Sequence, residues 1–575
     1  MPSETFLTIV IFVLSIAGLI RFQRKPAAVL GLALLALSLF GLVSQQQLLS
    51  SMVNPGLVTL ILLLLCSFAL EKTRLLRIIS AKVIVSKYAS TWFRLFGITA
   101  LCSAFLNNTA VVATLISPIR NNPHHSASKL LLPLSYAAIL GGTLTLVGTS
   151  TNLIVNSLYI EATGESLAFF SFTLLGLALV VGCGLTLAFT SRWLPDVDTK
   201  ELDYKGYFID AKVKKGSELI GRSVESNGLR HLESLFLVEV VRKGHLISPV
   251  SPSEVLQEDD RLVFSGDITK VMQISQFSGL ELFADKNGLL GTNLNEVVVK
   301  DESVLVGKTL KSAGFRALFD AAVVAISRDG SQISGKLGDV KIKAGDFLVL
   351  AVGDDFNTRR NLAKNFIILS GVEPEVKISG PKAWLSILGF VTVIGLSALG
   401  VMNMLLGLLA LFGVLIFSSI ITSNEVIRRF PVDIWVVVTS AILMSQALVN
   451  AGVDVMIAQW VSGFTSLGYV YFALILIYFL TWILTELVTN NAAAALMFPI
   501  GYSVALGLGV DVMPFVMTVA FAASGSFVSP YGYQTNLMVF NAGQYRLIDF
   551  LKVGVPVSVV YALIVIIGVP ILFPF

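Results

Sequence analysis

Long apolar runs alternate with short polar breaks at both ends of this chain, and a polar stretch separates the two sets. The runs fall at 5–20, 27–43, 55–71, 130–158 and 168–192, and again at 383–401, 403–422, 432–450, 468–485, 512–541 and 553–573. Most approach the roughly 20 residues that a helix needs to cross a bilayer. Two further apolar regions, 84–122 and 455–508, are interrupted by "FLNNTAVV" and "TELVTNNAAAALMFPI". Residues 195–378 instead carry dense charge and strand-like alternation, as in "RLVFSGD" and "DFLVLAVGD". The pattern predicts an α-helical polytopic membrane protein with a soluble insert of small α/β units.

Composition sharpens this. Charged residues are 14% of the 575 and apolar ones 55%. Soluble proteins carry roughly 25% charge, so much of the chain belongs in lipid, in keeping with a mean hydropathy of +0.81. A net charge of +4 is too small to suggest a nucleic-acid partner. Cys66, Cys102 and Cys183 lie in apolar runs with no metal or disulfide spacing and read as small buried hydrophobes. The first run, Phe6 to Ile20, has Glu4 where a signal peptide has basic residues, so it reads as a retained transmembrane helix.

Lys and Arg in short loops set orientation. They cluster at Arg21–Lys25, Glu71–Lys82, Arg428–Phe430 and Tyr545–Lys552, while Gln45–Gln47 has none. The N-terminus is therefore expected outside a plasma (inner) membrane, with 195–378 cytoplasmic. The count agrees only if 84–122 enters and leaves on one side as a re-entrant hairpin, and 455–508 does so from the opposite face. Non-helical backbone at that depth must be buried in protein or line a cavity.

The two ends also share motifs. "FLNNTAVVATLISPI" (Phe105–Ile119) precedes "GTSTNL" (Gly148–Leu153), and "LVTNNAAAALMFPI" (Leu487–Ile500) precedes "GYQTNL" (Gly532–Leu537). Starting on opposite sides of the membrane, the halves form an expected pair of inverted repeats, each with a hairpin and a broken helix. Sites in such folds lie where helices are interrupted. Helix N-termini present N–H groups to an anion, and unwound carbonyls with amide oxygens ligate a small hard cation. No Lys or Arg lies in these motifs, so a divalent anion would rely on helix ends and co-bound sodium ions. An asparagine in a membrane helix also serves simply to bond a neighbouring helix. Glu486, with Ala104 at the matching position, is open to three readings: a protonation site, a cation-attracting group or a paired structural acid.

These motifs resemble those of the divalent-anion/sodium symporter family, within the ion-transporter superfamily, and the resemblance covers both membrane regions. That family carries Ser-Asn-Thr at each hairpin tip; here the counterparts are Asn107-Asn108-Thr109 and Thr489-Asn490-Asn491. Its proline-containing unwound segments correspond to Gly148-Thr149-Ser150-Thr151-Asn152 and Gly532-Tyr533-Gln534-Thr535-Asn536, which lack the prolines. The resemblance implies one sodium site at Ser103, Asn107, Asn108 and Gly148, and a second at Thr485, Val488, Asn490 and Gly532. It implies substrate contacts from Asn108, Thr109, Thr149, Ser150, Thr489, Asn490, Asn491, Tyr533 and Gln534. "SPYGYQTNLMVF" and the insert look most like the sulfate-transporter branch, which implies sodium-coupled sulfate uptake without a further cofactor. Glu486 is the candidate coupling acid.

The insert repeats internally. "SELIGRSV" (Ser217–Val224) recurs as "SVLVGKTL" (Ser303–Leu310), and Gly221–Asp260 matches Gly307–Asp346 in length. These resemble tandem TrkA-C domains, the C-terminal part of regulators of potassium conductance, which implies pairing into a homodimer and a small-molecule ligand. The expected organisation is 1–194 as first membrane repeat, 195–285 and 286–378 as the two TrkA-C-like domains, and 379–575 as second repeat. His231 and His245 form no metal spacing and read as solvated. The rival readings are a sodium- or proton-coupled dicarboxylate carrier on the same fold and, more remotely, an ion channel. A potassium filter needs a carbonyl-ring sequence such as TVGYG, and none occurs. His124 and His125 have no partner motif, so no enzyme is expected.

Overall fold

In a computed structural model, the described residues are 3–22, 25–73, 79, 83–120, 122, 124–196, 208–229, 235–242, 245–247, 249–266, 279–283, 294–300, 303–328, 331–333, 337–352, 356, 361–368, 378–453, 455–456, 459 and 467–575. Most of the basic loop Glu71–Lys82, the boundary between 285 and 286, and His231 lie outside them.

Helices before the polar stretch are α1 (Ser3–Arg21), α2 (Pro26–Leu39), α3 (Gln45–Met52), α4 (Pro55–Glu71), α5 (Tyr88–Ser103), α6 (Asn108–Arg120), α7 (Ser128–Gly142), α8 (Ser150–Thr163) and α9 (Thr173–Thr190). Two short helices, α10 (Phe315–Phe319) and α11 (Leu362–Asn365), fall within it. After it come α12 (Pro381–Ala398), α13 (Met404–Phe417), α14 (Ser423–Arg429), α15 (Val432–Asn450), α16 (Leu467–Leu487), α17 (Asn490–Leu508), α18 (Met513–Ser524), α19 (Gln534–Ala542) and α20 (Leu547–Leu572).

Among the described residues, eight helices are long and apolar enough to cross a membrane. The sequence starts them conventionally. Asn54 accepts the Gly56 and Leu57 N–H groups ahead of Pro55, and at the shorter α13 Asn403 does the same for Leu405 and Leu406. The long runs at 130–158 and 512–541 each divide into two helices, with irregular backbone at 143–149 and 525–533. The two interrupted regions differ in length. α5 and α6 have 16 and 13 residues, whereas α16 and α17 have 21 and 19 and reach spanning length.

Partner choice recurs between the two ends of the chain. α5 packs on α7 as α16 packs on α18, and α6 packs on α19 as α17 packs on α8. Likewise α2 packs on α15 as α13 packs on α4. The paired contacts bring the breaks after α5, α7, α16 and α18 close to one another.

The polar stretch holds two antiparallel five-stranded sheets. The first has β1 (Phe208–Val213), β2 (Leu235–Arg242), β3 (His245–Ile247), β4 (Arg261–Gly266) and β5 (Leu280–Phe283) in the order β3-β2-β4-β1-β5. The second has β6 (Leu294–Val299), β7 (Ala321–Arg328), β8 (Ser331–Ile333), β9 (Phe347–Val352) and β10 (Phe366–Ile368) in the order β10-β6-β9-β7-β8. The two orders are the same when read from opposite edges. Their fastenings match as well. Arg242 makes two bonds to Asp260, at 2.9 and 2.8 Å, and Arg328 makes two to Asp346, at 2.7 and 2.8 Å. The α content expected of these units is small: among the described residues only α10 and α11 accompany the strands.

The second sheet rests on the helices. Along its strands, Val297, Val299, Leu348 and Leu350 fill the sheet's own core. Val298, Phe347 and Val349 face the other way and join the buried cluster of helices, as strand alternation requires. Arg120, at the last turn of α6, pairs with Glu296 of β6 and lies over the Phe347 ring, 5.7 Å from its centre. Leu537 of α19 lies 3.0 Å from where a side chain on Gly345 would begin.

Candidate functional site

Two small clusters of oxygens stand at the helix breaks. At the N-terminal one, Ser103 ends α5 and Asn108 opens α6. The buried Ser103 hydroxyl lies against the Asn108 amide oxygen and 2.8 Å from the Ala138 carbonyl. At the C-terminal one, Thr485 Oγ1 lies 3.0 Å from Asn490 Oδ1 and 2.8 Å from the Ala523 carbonyl. Each trio holds three oxygens and a single hydroxyl proton, because the amide and carbonyl oxygens only accept. One oxygen in each therefore lacks a donor from the trio. Such an oxygen-rich, proton-poor corner suits a hard cation.

The irregular segments beside each trio are tied down alike. Asn152 Nδ2 donates to the carbonyls of Thr145 (2.9 Å) and Gly142 (3.4 Å), while Asn536 Nδ2 donates to those of Ser526 (3.0 Å) and Ser529 (3.4 Å). Close approach holds Gly148 to glycine and crowds the place of a side chain at Gly532. A Cβ on Gly148 would lie 2.5 Å from the Gly142 carbonyl oxygen, and one on Gly532 would lie 2.2 Å from Ser526 Oγ.

The first turns of four helices meet between the clusters. Asn108 Nδ2 donates to Tyr533 Oη at 2.7 Å, and Thr149 Oγ1 stands 3.4 Å from the same phenol. Thr109 Oγ1 donates to Gln534 Oε1 at 3.3 Å, and Ser150 Oγ to Asn491 Oδ1 at 2.9 Å. α8, α17 and α19 begin without a side-chain cap, so their first N–H groups face this meeting point uncapped by their own N-terminal residues. Tyr533 takes the place in the C-terminal segment that Thr149 holds in the N-terminal one.

Nearly all the residues singled out from sequence come together here. Val488 is buried behind the Thr489 turn, and Thr489 is exposed. Asn107 is placed differently: its amide oxygen accepts the Thr109 N–H at 2.9 Å and so caps α6. The Glu486 carboxylate takes three backbone N–H groups of the unwound segment, those of Phe527, Val528 and Ser529, each at 3.0 Å. Backbone amides of the unwound segment are thus the partners that this carboxylate finds.

Other contributors were not singled out. Ser135 Oγ donates to Asn536 Oδ1 at 2.7 Å and lies 2.9 Å from Thr535 Oγ1. Tyr136 Oη donates to the Phe527 carbonyl at 2.5 Å. Their signal in sequence is a hydroxyl inside the apolar run 130–158. Among the described residues no group of three or more His, Cys, Asp and Glu is disposed to hold a metal.

The sequence pattern of a family described as citrate transporters matches residues 9–522. An uncharacterized transporter of Synechocystis is 31% identical over 92% of this chain and 90% of its own length. Sodium/sulfate cotransporter 1 of Chlamydomonas reinhardtii is 30% identical over 62% of this chain, which spans only 42% of that longer protein. An uncharacterized transporter of Escherichia coli is 26% identical over 98% of both chains. These relatives are carriers rather than enzymes, and the chain belongs to the citrate transporter family of the ion-transporter superfamily.

Proposed function

We propose that this protein is a sodium-coupled symporter of a divalent inorganic anion, sulfate, working by alternating access. The observation that carries the reading is the pair of proton-poor oxygen trios flanking a point where uncapped helix N-termini meet. Cations in the trios supply the positive charge that the motifs lack in side chains, and the helix N-termini supply N–H donors to the anion. Sulfate is favoured over other anions by the likeness to sodium/sulfate cotransporters. The matching partner choice of the helices supports two inverted repeats related across this point.

A second reading, a carrier of citrate or a dicarboxylate on the same fold, has the family's description in its favour. Labelled sulfate uptake into proteoliposomes under an inward sodium gradient, against choline, separates them. Sodium-dependent sulfate entry resisting excess citrate and succinate is the expected result. Labelled citrate entry with no sulfate signal overturns it.

The insert belongs to the proposal as a cytoplasmic regulator of TrkA-C type, pairing in a homodimer, with the N-terminus outside. Its second sheet touches α6 and α19, two of the helices that begin at the site. Lys72 pairs with Glu425 at 2.8 Å, and Arg429 lies over Phe68, 4.5 Å from the ring centre. These contacts support placing the loops after α4 and α13 on one face. A ligand that binds the sheets unequally in two transport states would shift the balance between them.

A further inference from the structure

We propose that Glu486 and Ser526 make the C-terminal cation site the stronger of two unequal sodium sites, Glu486 as a positioning residue and Ser526 as an additional ligand. This rests on the sodium-coupled reading above and asks what that reading leaves open: whether the two sites are alike.

Aligning Gly148 with Gly532 pairs Gly142 with Ser526, Thr143 with Phe527 and Leu144 with Val528. In the N-terminal segment, the Thr143 and Leu144 N–H groups bond back to the carbonyls of Leu140 and Gly141, at 3.2 and 3.1 Å. The helix there winds tight to its end. In the C-terminal segment the matching N–H groups turn to Glu486 instead, joined by that of Ser529. The carboxylate thus replaces the last helical turn and holds the segment open. Ala104, at the matching position of the other break, has no side chain to do this; its carbonyl accepts the Thr145 hydroxyl.

The opening changes what surrounds the glycine. A Cβ on Gly532 would meet Ser526 Oγ, Glu486 Oε2 at 3.3 Å and the Thr485 carbonyl at 3.3 Å. Three oxygens of three chemical kinds therefore face Gly532, one of them on a carboxylate. Around Gly148 the three nearest atoms belong to the Gly142 backbone. Ser526 is fully buried with its hydroxyl beside the Glu486 carboxyl, and a hydroxyl that donates there still has its lone pairs available. An ionised carboxylate offers about four acceptor positions, and three N–H groups leave one toward Gly532. The C-terminal corner has a carboxyl group and one more hydroxyl; the N-terminal corner has neither.

Sodium titration of the purified full-length protein tests this, with thermal stabilisation as readout, choline balancing the salt and no anion substrate present. The wild type is expected to respond in two phases. Glu486→Gln moves the tighter phase at least tenfold and leaves the weaker in place, and Glu486→Asp restores part of it. Ser526→Gly shifts the tighter phase a few-fold, and Ser103→Ala shifts only the weaker. If Glu486→Gln does not fold, Ser526→Gly decides alone. A tighter phase unmoved by the Glu486 and Ser526 variants overturns the inference, as does a tighter phase lost in Ser103→Ala. A wild type with no sodium response overturns the parent reading instead, so the two failures are distinct.

Discussion

The two oxygen corners share a plan and differ in how their loops are fastened. Ser103, Asn108 and Ala138 answer to Thr485, Asn490 and Ala523, and Asn152 answers to Asn536. Yet the N-terminal loop closes on its own backbone, while the C-terminal loop closes on a side chain, Glu486. A second difference lies between the corners, where Tyr533 reaches across to Asn108 and its counterpart Thr149 makes only a long contact to that phenol. A shared framework can thus carry unequal chemistry, because backbone ties leave side-chain positions free to diverge.

Removing the amides gives the largest effects. Asn108→Ala loses both a corner oxygen and the bond to Tyr533, whereas Asn490→Ala loses the oxygen alone. Hydrogen bonds to charged groups are worth about 1.5–3 kcal/mol, and each ~1.4 kcal/mol is tenfold. Sulfate uptake at low sodium should fall roughly 100-fold for Asn108→Ala and about tenfold for Asn490→Ala. Equal losses would remove the bridging role given to Tyr533.

The glycines break the comparison in a different way. Overpacking costs about 1–3 kcal/mol. Gly148→Ala meets a backbone carbonyl that cannot step aside, so it sits at the top of that range. Gly532→Ala meets the Ser526 side chain, which can rotate, and sits near the bottom. Thermal unfolding in detergent should show the order, and adding Ser526→Gly should recover only the Gly532→Ala variant. Recovery of both would mean that the two loops are fastened alike.

Smaller changes concern the insert, where the sheets match internally but only the second has the Arg120–Glu296 tie among the described residues. Coupling contacts of this kind modulate function by about 0.5–2 kcal/mol. Glu296→Gln should alter the maximal uptake rate a few-fold. Arg242→Ala, which loosens Asp260 in the first sheet, should leave the rate unchanged while weakening hydrogen-exchange protection in β2 and β4. The smallest effect is at Glu425. Burial pushes its carboxyl up, but the Lys72 ammonium and the Thr422 cap outweigh that and hold it below the ordinary glutamate range. Its contribution is therefore present in full above the unfolded value of about 4.3 and lost as pH falls through the lower native value. Glu425→Gln should flatten the acid limb of stability between those values, and an unchanged limb would show that the pair contributes nothing.

Much of the site could be read from sequence because polar groups in an apolar run are costly without partners. That cost makes the asparagine pairs and the G-x-x-T-N-L segments stand out, and the structure gathers them around one point. Asn107 and Asn108 look alike in sequence, yet one caps a helix and the other bridges the two ends of the chain. That difference depends on which side of the α6 start each faces. The partners of Glu486 are backbone N–H groups, which carry no residue signature at all. Ser135 and Tyr136 reach across to the other end of the chain, a pairing that only packing creates. Strand alternation located the sheets, but the face of β6 and β9 that rests on helices was not distinguishable from the face that fills their own core.

If the trios take cations as proposed, the lone proton in each has a kinetic consequence. A hydroxyl whose oxygen binds a cation keeps its hydrogen on the main-chain carbonyl, Ala138 or Ala523, and gives up its hold on the amide oxygen. Asn108 is then released to face the ion and carries its NH2 group, and with it Tyr533, along. Loading the cation thus rearranges the anion's surroundings before the anion arrives. On that reading the binding sequence is expected to be ordered instead of random, with sodium first in and sulfate second.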